Sequence, residues 1–134
     1  MDKRGGTYAL LLEIEQETEI TIGRLGTFSF PAGHYIYVGS ALGGGGVRAR
    51  LARHQRHDKK LRWHIDYFLV HARMLDVRID FSGERLECIW AQALLGLPGT
   101  RVIAPRFGAS DCACLSHLIY TGEDNALSLA LDSR

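Results

Sequence analysis

A run of glycines between an aromatic segment and a basic segment constrains this chain more than any other feature. The stretch YIYVGSALGGGGVRARLARHQRH covers residues 35–57, and its four consecutive glycines are residues 43–46. Because glycine has no side chain, the backbone of such a run can approach another group closely. The basic residues that follow favour a partner that carries phosphate. They are Arg48, Arg50, Arg53, His54, Arg56 and His57.

The chain is the size of one domain and nearly neutral, but its charges are unevenly placed. Its 134 residues, 46% of them hydrophobic, predict a single domain over residues 1–134 with a real core. The formal net charge is +1, so any attraction for nucleic acid must come from a local patch. Residues 48–60 hold six lysines and arginines against one acid, whereas residues 13–19 hold four acids and no base. We therefore predict one basic face and one acidic face.

The N-terminal segment and the cysteines favour a cytoplasmic protein. The short apolar run before Glu13 is too short for the core of a signal peptide and far too short to span a bilayer. Cys88, Cys112 and Cys114 form an odd set in a chain without a secretory signal, which predicts reduced thiols rather than a disulfide framework. We expect no membrane partner.

Alternating apolar residues predict three strands in the first forty residues. The first strand covers residues 7–15, and the second, around Ile20, is joined to it by a short hairpin. The third strand covers residues 34–40, where Tyr35 and Tyr37 share one face because side chains alternate along a strand.

The remainder of the chain alternates between helical and extended patterns. We predict helices near residues 47–57, 64–71 and 84–95, and strands near residues 76–81 and 117–120. For the last helix we predict Ser82 as its N-cap, Gly96 as its end and a buried apolar stripe of Leu86, Ile89, Trp90, Ala93 and Leu94. Helices and strands that intermix in this way favour an α/β or α+β fold over a pure class.

The basic groups of the first predicted helix gather on one side. At about 100° per residue, Arg50, Arg53 and His57 occupy one arc of the helix. Val47, Leu51 and His54 fall together on the side of the helix next to that arc. The arginines therefore point in a common direction.

Two short patterns on the predicted strands resemble the two halves of the GIY-YIG nuclease motif. Gly6-Thr7-Tyr8 lies on the first strand and Tyr37-Val38-Gly39 on the third, about thirty residues later. Arg50 and Glu87, on two of the following helices, match further landmarks of that family. The chain resembles more closely a compact subgroup of GIY-YIG-like proteins that is catalogued as a domain of unknown function (DUF123-like). The segments that carry this resemblance are YVGSA, RLARH, WHIDY, an EC pair and FGASDCACLSHL. The resemblance covers residues 6–120.

This resemblance implies a fold, an activity and partners. The fold would be a small mixed, mainly antiparallel sheet flanked by helices. The active site would lie where Tyr8 and Tyr37 approach each other. The reaction would be the hydrolysis of a phosphodiester in DNA, favoured over RNA, assisted by one Mg²⁺ or Mn²⁺ ion. Some members of the subgroup occur beside DNA-repair glycosylase domains, which implies a role in repair.

Five residues receive chemical roles from the resemblance. Tyr8 would act as general base toward water, with its pKa lowered by a nearby cation and by Tyr37. Arg50 would bind the phosphoryl oxygens through its fork of donors. Glu87 would hold the metal ion, which would polarise the phosphate. Tyr37 would orient Tyr8 or the water, and His54 would assist proton transfer.

The remaining candidates are contacts to the nucleic acid, whose phosphates dominate binding. We assign this role to Gly39, Arg48, Arg53, Arg56, Lys59, Lys60 and His64. A module of the same fold that binds nucleic acid but has lost cleavage is the alternative function.

Each catalytic role also has a plainer alternative. A tyrosine on a strand is usually a packing residue, and helix arginines are usually solvated. Glu87 can be an ordinary exposed helix residue. Gln92 or Glu84 can be the counterpart of the family's metal ligand, and Asp66 and Asp111 are further acids that the fold can bring close.

Three cysteines and a histidine raise the question of zinc. Cys112, Cys114 and His117 are zinc-competent side chains within six residues, and Cys88 can supply a fourth ligand from elsewhere. Their spacing differs from the CxxC pairs of zinc ribbons. We therefore favour small buried thiols in a tight turn, with zinc as the alternative.

Overall fold

The structure of the protein is a computed structural model that describes residues 4–41, 45–56, 58–82, 86–109 and 114–122. Several sequence predictions lie outside these described residues. They concern residues 43–44, His57, Glu84, Asp111 and Cys112.

Six strands and three helices form within the described residues, which confirms the predicted mixed fold class. In chain order they are β1 (Gly6–Ile14), β2 (Thr18–Ile22), β3 (Gly26–Phe30), β4 (Gly33–Ala41), α1 (Gly46–Gln55), α2 (His64–Leu69), β5 (Arg73–Asp80), α3 (Glu87–Leu95) and β6 (Leu118–Gly122). None of these helices is long and apolar enough to cross a membrane.

The central sheet has four strands in the order β5-β1-β4-β6, and every neighbouring pair is antiparallel. β1 is buried almost throughout because the residues of both its faces are apolar or small. β1 and β4 pair along nine residues each, from Gly6 opposite Ala41 to Ile14 opposite Gly33. This long pairing fixes which residues of the two strands share a face.

Helices cover both faces of the sheet. One core contains Tyr8, Leu10 and Leu12 of β1, packed with residues of α1, α2 and the β2–β3 hairpin. The opposite core contains Ala9 and Leu11, packed against α3. The alternation of side chains along β1 therefore sorts them into two apolar layers.

β2 does not pair with β1, so the predicted hairpin between them is wrong. β2 pairs with β3 in a separate two-stranded sheet, through a turn in which the Leu25 N–H donates to the Ile22 carbonyl over 2.8 Å. Both edges of β1 are already occupied by β4 and β5. The hairpin instead buries Ile20, Ile22 and Phe30 against the face that carries α2.

The third helix begins later than its sequence predicts. α3 has Leu86 as its N-cap, and the N–H of the predicted cap Ser82 donates to Asp80 Oδ1 over 2.8 Å. Ile89 is 56% exposed, so its place in the buried stripe is wrong. Ala91 takes that place beside Trp90 because these two positions face the sheet.

Candidate functional site

Tyr8 and Tyr37 lie on neighbouring strands and face the same side of the sheet. Their ring centroids are 6.4 Å apart. Tyr8 stands directly opposite Gly39, and a Cβ added to Gly39 would lie 2.7 Å from the Tyr8 hydroxyl oxygen. Such a contact is shorter than real Cβ atoms show. Gly39 therefore makes room for the Tyr8 ring.

His54 forms a hydrogen bond with Tyr8. The buried side of α1 places His54 Nε2 at 2.7 Å from the Tyr8 hydroxyl oxygen. Burial, together with the positive charge of Lys59, lowers the pKa of His54 to about 4. His54 Nδ1 is buried and has no hydrogen-bond partner among the described residues. At neutral pH the imidazole is therefore uncharged, with one ring nitrogen as donor and the other as acceptor.

The pKa of Tyr8 is raised, whereas the sequence analysis predicts a lowered one. Burial raises it above the ordinary value of 10.0, and this effect exceeds the lowering by the neighbouring Arg50. Tyr8 is 1% exposed. Burial also raises the pKa of Tyr37, and the proximity of Tyr8 adds to the increase. Both phenols are therefore protonated at neutral pH.

Arg50 is held at the edge of the tyrosine pair. Its guanidinium lies 4.3 Å from the centre of the Trp63 ring and donates to the Ser40 carbonyl oxygen over 3.1 Å. It lowers the pKa of both Tyr8 and Tyr37, so its charge acts on the two phenols. A half-buried arginine in this position can bind an anion next to Tyr8.

Glu87 opens α3, which packs on the opposite face of the sheet. The Leu86 N–H donates to Thr7 Oγ1 over 3.1 Å and so fixes the start of α3 beside β1. The charge of Glu87 raises the pKa of Tyr8 and of Tyr37, so the carboxylate lies within electrostatic range of both. Sequence reasoning missed the role of Thr7. The available signal was a threonine hydroxyl on a strand whose residues are mostly apolar.

Arg53 forms an ion pair inside the protein. Its guanidinium donates to both carboxylate oxygens of Asp66, over 2.7 and 2.9 Å. The N–H groups of Arg62 and Trp63 also donate to Asp66, whose side chain is 0% exposed. Burial alone would raise the pKa of Asp66, but these hydrogen bonds outweigh it and lower the pKa to about 2. With four donors on its oxygens, Asp66 is poorly suited to bind a metal ion.

Two further basic candidates make contacts within the fold. Lys59 Nζ donates to the carbonyl oxygens of Arg53 and His54, over 3.0 and 2.9 Å, and thereby caps the C-terminal end of α1. His64 Nδ1 accepts a hydrogen bond from the Gly108 N–H over 2.8 Å, and burial lowers the pKa of His64. These contacts give both side chains a structural role.

Three other predicted contacts, Arg48, Arg56 and Lys60, are exposed. The Arg48 guanidinium lies 5.5 Å from the centre of the Phe81 ring. Arg56 approaches the exposed Asp58 at 3.5 Å, a surface ion pair that water screens. These side chains can still meet an anionic partner.

A cleft of about 1090 Å³ opens beside His54. Acidic and basic side chains both line it, and neither Tyr8 nor Tyr37 does. Its charged lining residues include Glu13, Glu15, Arg56, Lys59, Arg73 and Asp76. A cleft of mixed charge is a poor match for a polyanion.

Cys88, Cys114 and His117 form a separate cluster that is close enough to bind a metal ion. Their ligand atoms all lie within 4.8 Å of one another, and Cys88 Sγ is 3.8 Å from His117 Nε2. Burial lowers the pKa of His117. Of the predicted zinc group, the structure thus brings Cys114 and His117 together with Cys88, while Cys112 lies outside the described residues.

The stability of the fold is expected to decrease as the pH falls from about 6.5 towards 4. The ordinary pKa of histidine is 6.5, whereas that of folded His54 is about 4. Between these values the unfolded chain binds more protons, so acid favours unfolding, by about 3 kcal/mol once the full shift is expressed. Urea unfolding from about pH 7 to about pH 4.5 measures this dependence.

His54→Gln serves as the comparison for this pH dependence, because glutamine does not titrate. The half-buried His64 and the buried His117, whose pKa values are also lowered, keep contributing in that variant. The slope of stability against pH should therefore become shallower without vanishing. Equal slopes for the variant and the wild type would contradict a buried neutral His54.

The comparisons with known proteins show one relationship. Neither the curated proteins nor the solved structures offer a match to the chain. The family model described as "Domain of unknown function DUF123" matches residues 7–133, a span that includes Tyr8, Tyr37, Arg50, His54 and Glu87. A match over nearly the whole chain shows the family, and the chain therefore belongs to the DUF123 family.

Proposed function

We propose that the protein is a metal-dependent DNA endonuclease of the GIY-YIG type. The observation that carries this proposal is the hydrogen bond between Tyr8 and His54, with Arg50 beside it and Tyr37 in the same layer. Hydrolysis of a phosphodiester needs a route for the proton of the attacking water and positive charge for the phosphoryl oxygens. Tyr8 and His54 would provide the proton route, and Arg50 would provide the positive charge.

The Tyr8–His54 pair can activate water although the pKa of Tyr8 is high. As water attacks phosphorus, its proton would move to the Tyr8 oxygen while the Tyr8 proton moves to His54 Nε2. Tyr8 then never carries a full negative charge in its buried position. The uncharged imidazole of His54 has a lone pair for this proton, but its lowered pKa of about 4 makes it a weak base, so the negative charge of the attacked phosphate would have to stabilise the imidazolium.

Arg50 and Glu87 supply the remaining functions. The guanidinium of Arg50 would bind the non-bridging oxygens, on which negative charge accumulates during attack. Glu87 would hold a Mg²⁺ or Mn²⁺ ion, whose chemistry is to polarise the phosphate and stabilise the leaving oxygen. A carboxylate is the ligand type that these hard cations prefer.

The nucleic-acid contacts would come from the exposed basic side chains around α1. Arg48, Arg56 and Lys60 meet this requirement, whereas Arg53 and Lys59 are used within the fold. DNA as substrate, a role in DNA repair and a cytoplasmic location complete the proposal.

A nucleic-acid-binding module that does not cleave is the second candidate. The burial of Tyr8, which is 1% exposed, favours it, because a general base must meet its substrate. Such a module would bind DNA through the same exposed basic residues, and its affinity would fall with added salt.

Cleavage is expected to require a divalent metal ion and to weaken when Glu87 is replaced. At a limiting Mn²⁺ concentration, Glu87→Gln should reduce the rate at least about tenfold, because an amide binds the ion less well than a carboxylate. Higher Mn²⁺ should restore part of the rate. The assay uses single-stranded, duplex and branched DNA, with chelator in parallel samples. Glu15→Gln is the matched control, since Glu15 is an exposed acid between β1 and β2.

The panel separates the two candidates. If the wild type cuts none of these substrates with either metal but retains salt-sensitive binding, the protein is the binding module. If cleavage persists in chelator, or if Glu87→Gln cuts as fast as Glu15→Gln and the wild type, Glu87 is not the metal ligand.

A further inference from the structure

Helix α3 and the segment before β6 bring soft metal ligands together outside the tyrosine site. Cys88 is the second residue of α3, Cys114 lies in the segment before β6, and His117 directly precedes β6. Their ligand atoms lie within 4.8 Å of one another. Cys114 and His117 are 8% and 4% exposed, and Cys88 is half-buried. The cluster is therefore enclosed but not sealed from solvent.

The separation between Cys88 and His117 is close to that of two ligands on a tetrahedral zinc ion. Zinc–sulfur bonds of about 2.3 Å and zinc–nitrogen bonds of about 2.0–2.1 Å place ligand atoms about 3.6 Å apart at a tetrahedral angle. In the structure, Cys88 Sγ and His117 Nε2 are 3.8 Å apart. A movement of a few tenths of an ångström by the side chains would complete this pair.

Hydrogen bonds to the backbone atoms of Cys114 and His117 hold these two ligands in position. The His117 N–H donates to the Phe107 carbonyl over 2.8 Å, and the His117 carbonyl accepts from the Val38 N–H over 2.9 Å. Arg106 donates to the Cys114 carbonyl over 2.7 Å. Two of the three ligands are thus fixed by contacts that do not involve their side chains.

We propose that Cys88, Cys114 and His117 form a zinc site. Two thiolates and an imidazole suit Zn²⁺, whereas Mg²⁺ and Mn²⁺ prefer oxygen ligands. Three protein ligands leave the fourth tetrahedral position for water or another donor. The ion would tie the first turn of α3, which begins with Glu87, to the segment that leads into β6. The zinc site does not depend on the proposed cleavage.

Cobalt(II) is the probe that tests this site, because its spectrum reports thiolate ligands. The full chain, kept reduced and freed of metal with chelator, is titrated with Co²⁺ and then with Zn²⁺. We expect thiolate-to-cobalt charge-transfer absorption and the strong visible bands of tetrahedral cobalt, saturating at one equivalent. Zn²⁺ should then displace the cobalt and remove these bands.

Cys88→Ser and Cys114→Ser identify the ligands. Each should weaken zinc binding by more than about 100-fold, since even outer-shell substitutions cost 10–100-fold in metal affinity. Cys88→Ser decides the outcome if Cys114→Ser fails to fold, because Cys88 is only half-buried and serine has nearly the same size. His71→Asn, which changes an exposed histidine, should bind zinc as the wild type does.

Two results would overturn the proposal. One is a reduced wild type that shows no charge-transfer absorption at excess cobalt. The other is Cys88→Ser with unchanged cobalt spectrum and zinc affinity. In either case the 3.8 Å contact between Cys88 and His117 is only a thiol–imidazole hydrogen bond.

Discussion

Tyr8→Phe is expected to lower the rate of DNA cleavage by about 10²–10⁴-fold, the usual contribution of proton transfer by a positioned side chain. The substitution removes one oxygen and keeps the ring that packs over Gly39, so the fold should persist. His54 loses its partner, and we expect a decrease in stability of about 1–3 kcal/mol. The single-turnover rate at saturating DNA measures the first effect, and urea unfolding measures the second.

Tyr35→Phe is the matched control for this experiment. Tyr35 is fully buried on β4, and its hydroxyl donates to the Pro31 carbonyl over 2.6 Å. Tyr35→Phe should also reduce stability, because it removes a hydrogen bond from a buried tyrosine. The cleavage rate should stay unchanged. If Tyr8→Phe and Tyr35→Phe cleave DNA equally well, Tyr8 has no part in catalysis.

Arg53→Gln is expected to reduce the free energy of unfolding by about 3–5 kcal/mol, the cost of removing one partner of a buried ion pair. The carboxylate of Asp66 would remain fully buried, with only two backbone N–H donors. The contact of the guanidinium with Trp63, at 4.0 Å, would also be lost. Urea unfolding at neutral pH measures the change.

Arg56→Gln is the comparison that isolates burial. Arg56 lies three residues after Arg53, and its side chain is 60% exposed in a pair with the 85% exposed Asp58. Exposed pairs contribute about 0–1 kcal/mol, so this variant should be nearly as stable as the wild type. A similar small loss for both variants would mean that the Arg53–Asp66 pair is not a structural anchor. Asp66→Asn combined with Arg53→Gln should recover part of the loss, because no buried charge remains.

Local periodicity predicts the parts of the site that lie on one element. Period-two alternation places Tyr35 and Tyr37 on one face of β4, and the structure confirms it by burying Ile36 and Val38 in the opposite core. Helical spacing likewise places Val47 and His54 on one side of α1, and both residues are buried there. These predictions hold because the geometry of a single element fixes the direction of its side chains.

Contacts between distant elements could not be predicted in the same way. Alternation around Ile20 indicates a strand but does not show which strand it pairs with. In the structure, β2 pairs with β3. The sequence shows the charge of Arg53 but not that Asp66, thirteen residues later, would neutralise it inside the fold. The sequence names Cys88 as a candidate ligand, but only the fold shows that it lies beside Cys114 and His117.

The space that Gly39 leaves for the Tyr8 ring also selects one alignment of β1 and β4. Sliding one strand past the other by a single residue would move every side chain of that strand to the wrong layer. It would also place the Tyr8 ring opposite a residue with a side chain, Val38 or Ser40. The fit of the Tyr8 ring over Gly39 therefore favours the native register of β1 and β4. The GTY and YVG patterns, about thirty residues apart in the sequence, thus form the two sides of one contact between β1 and β4.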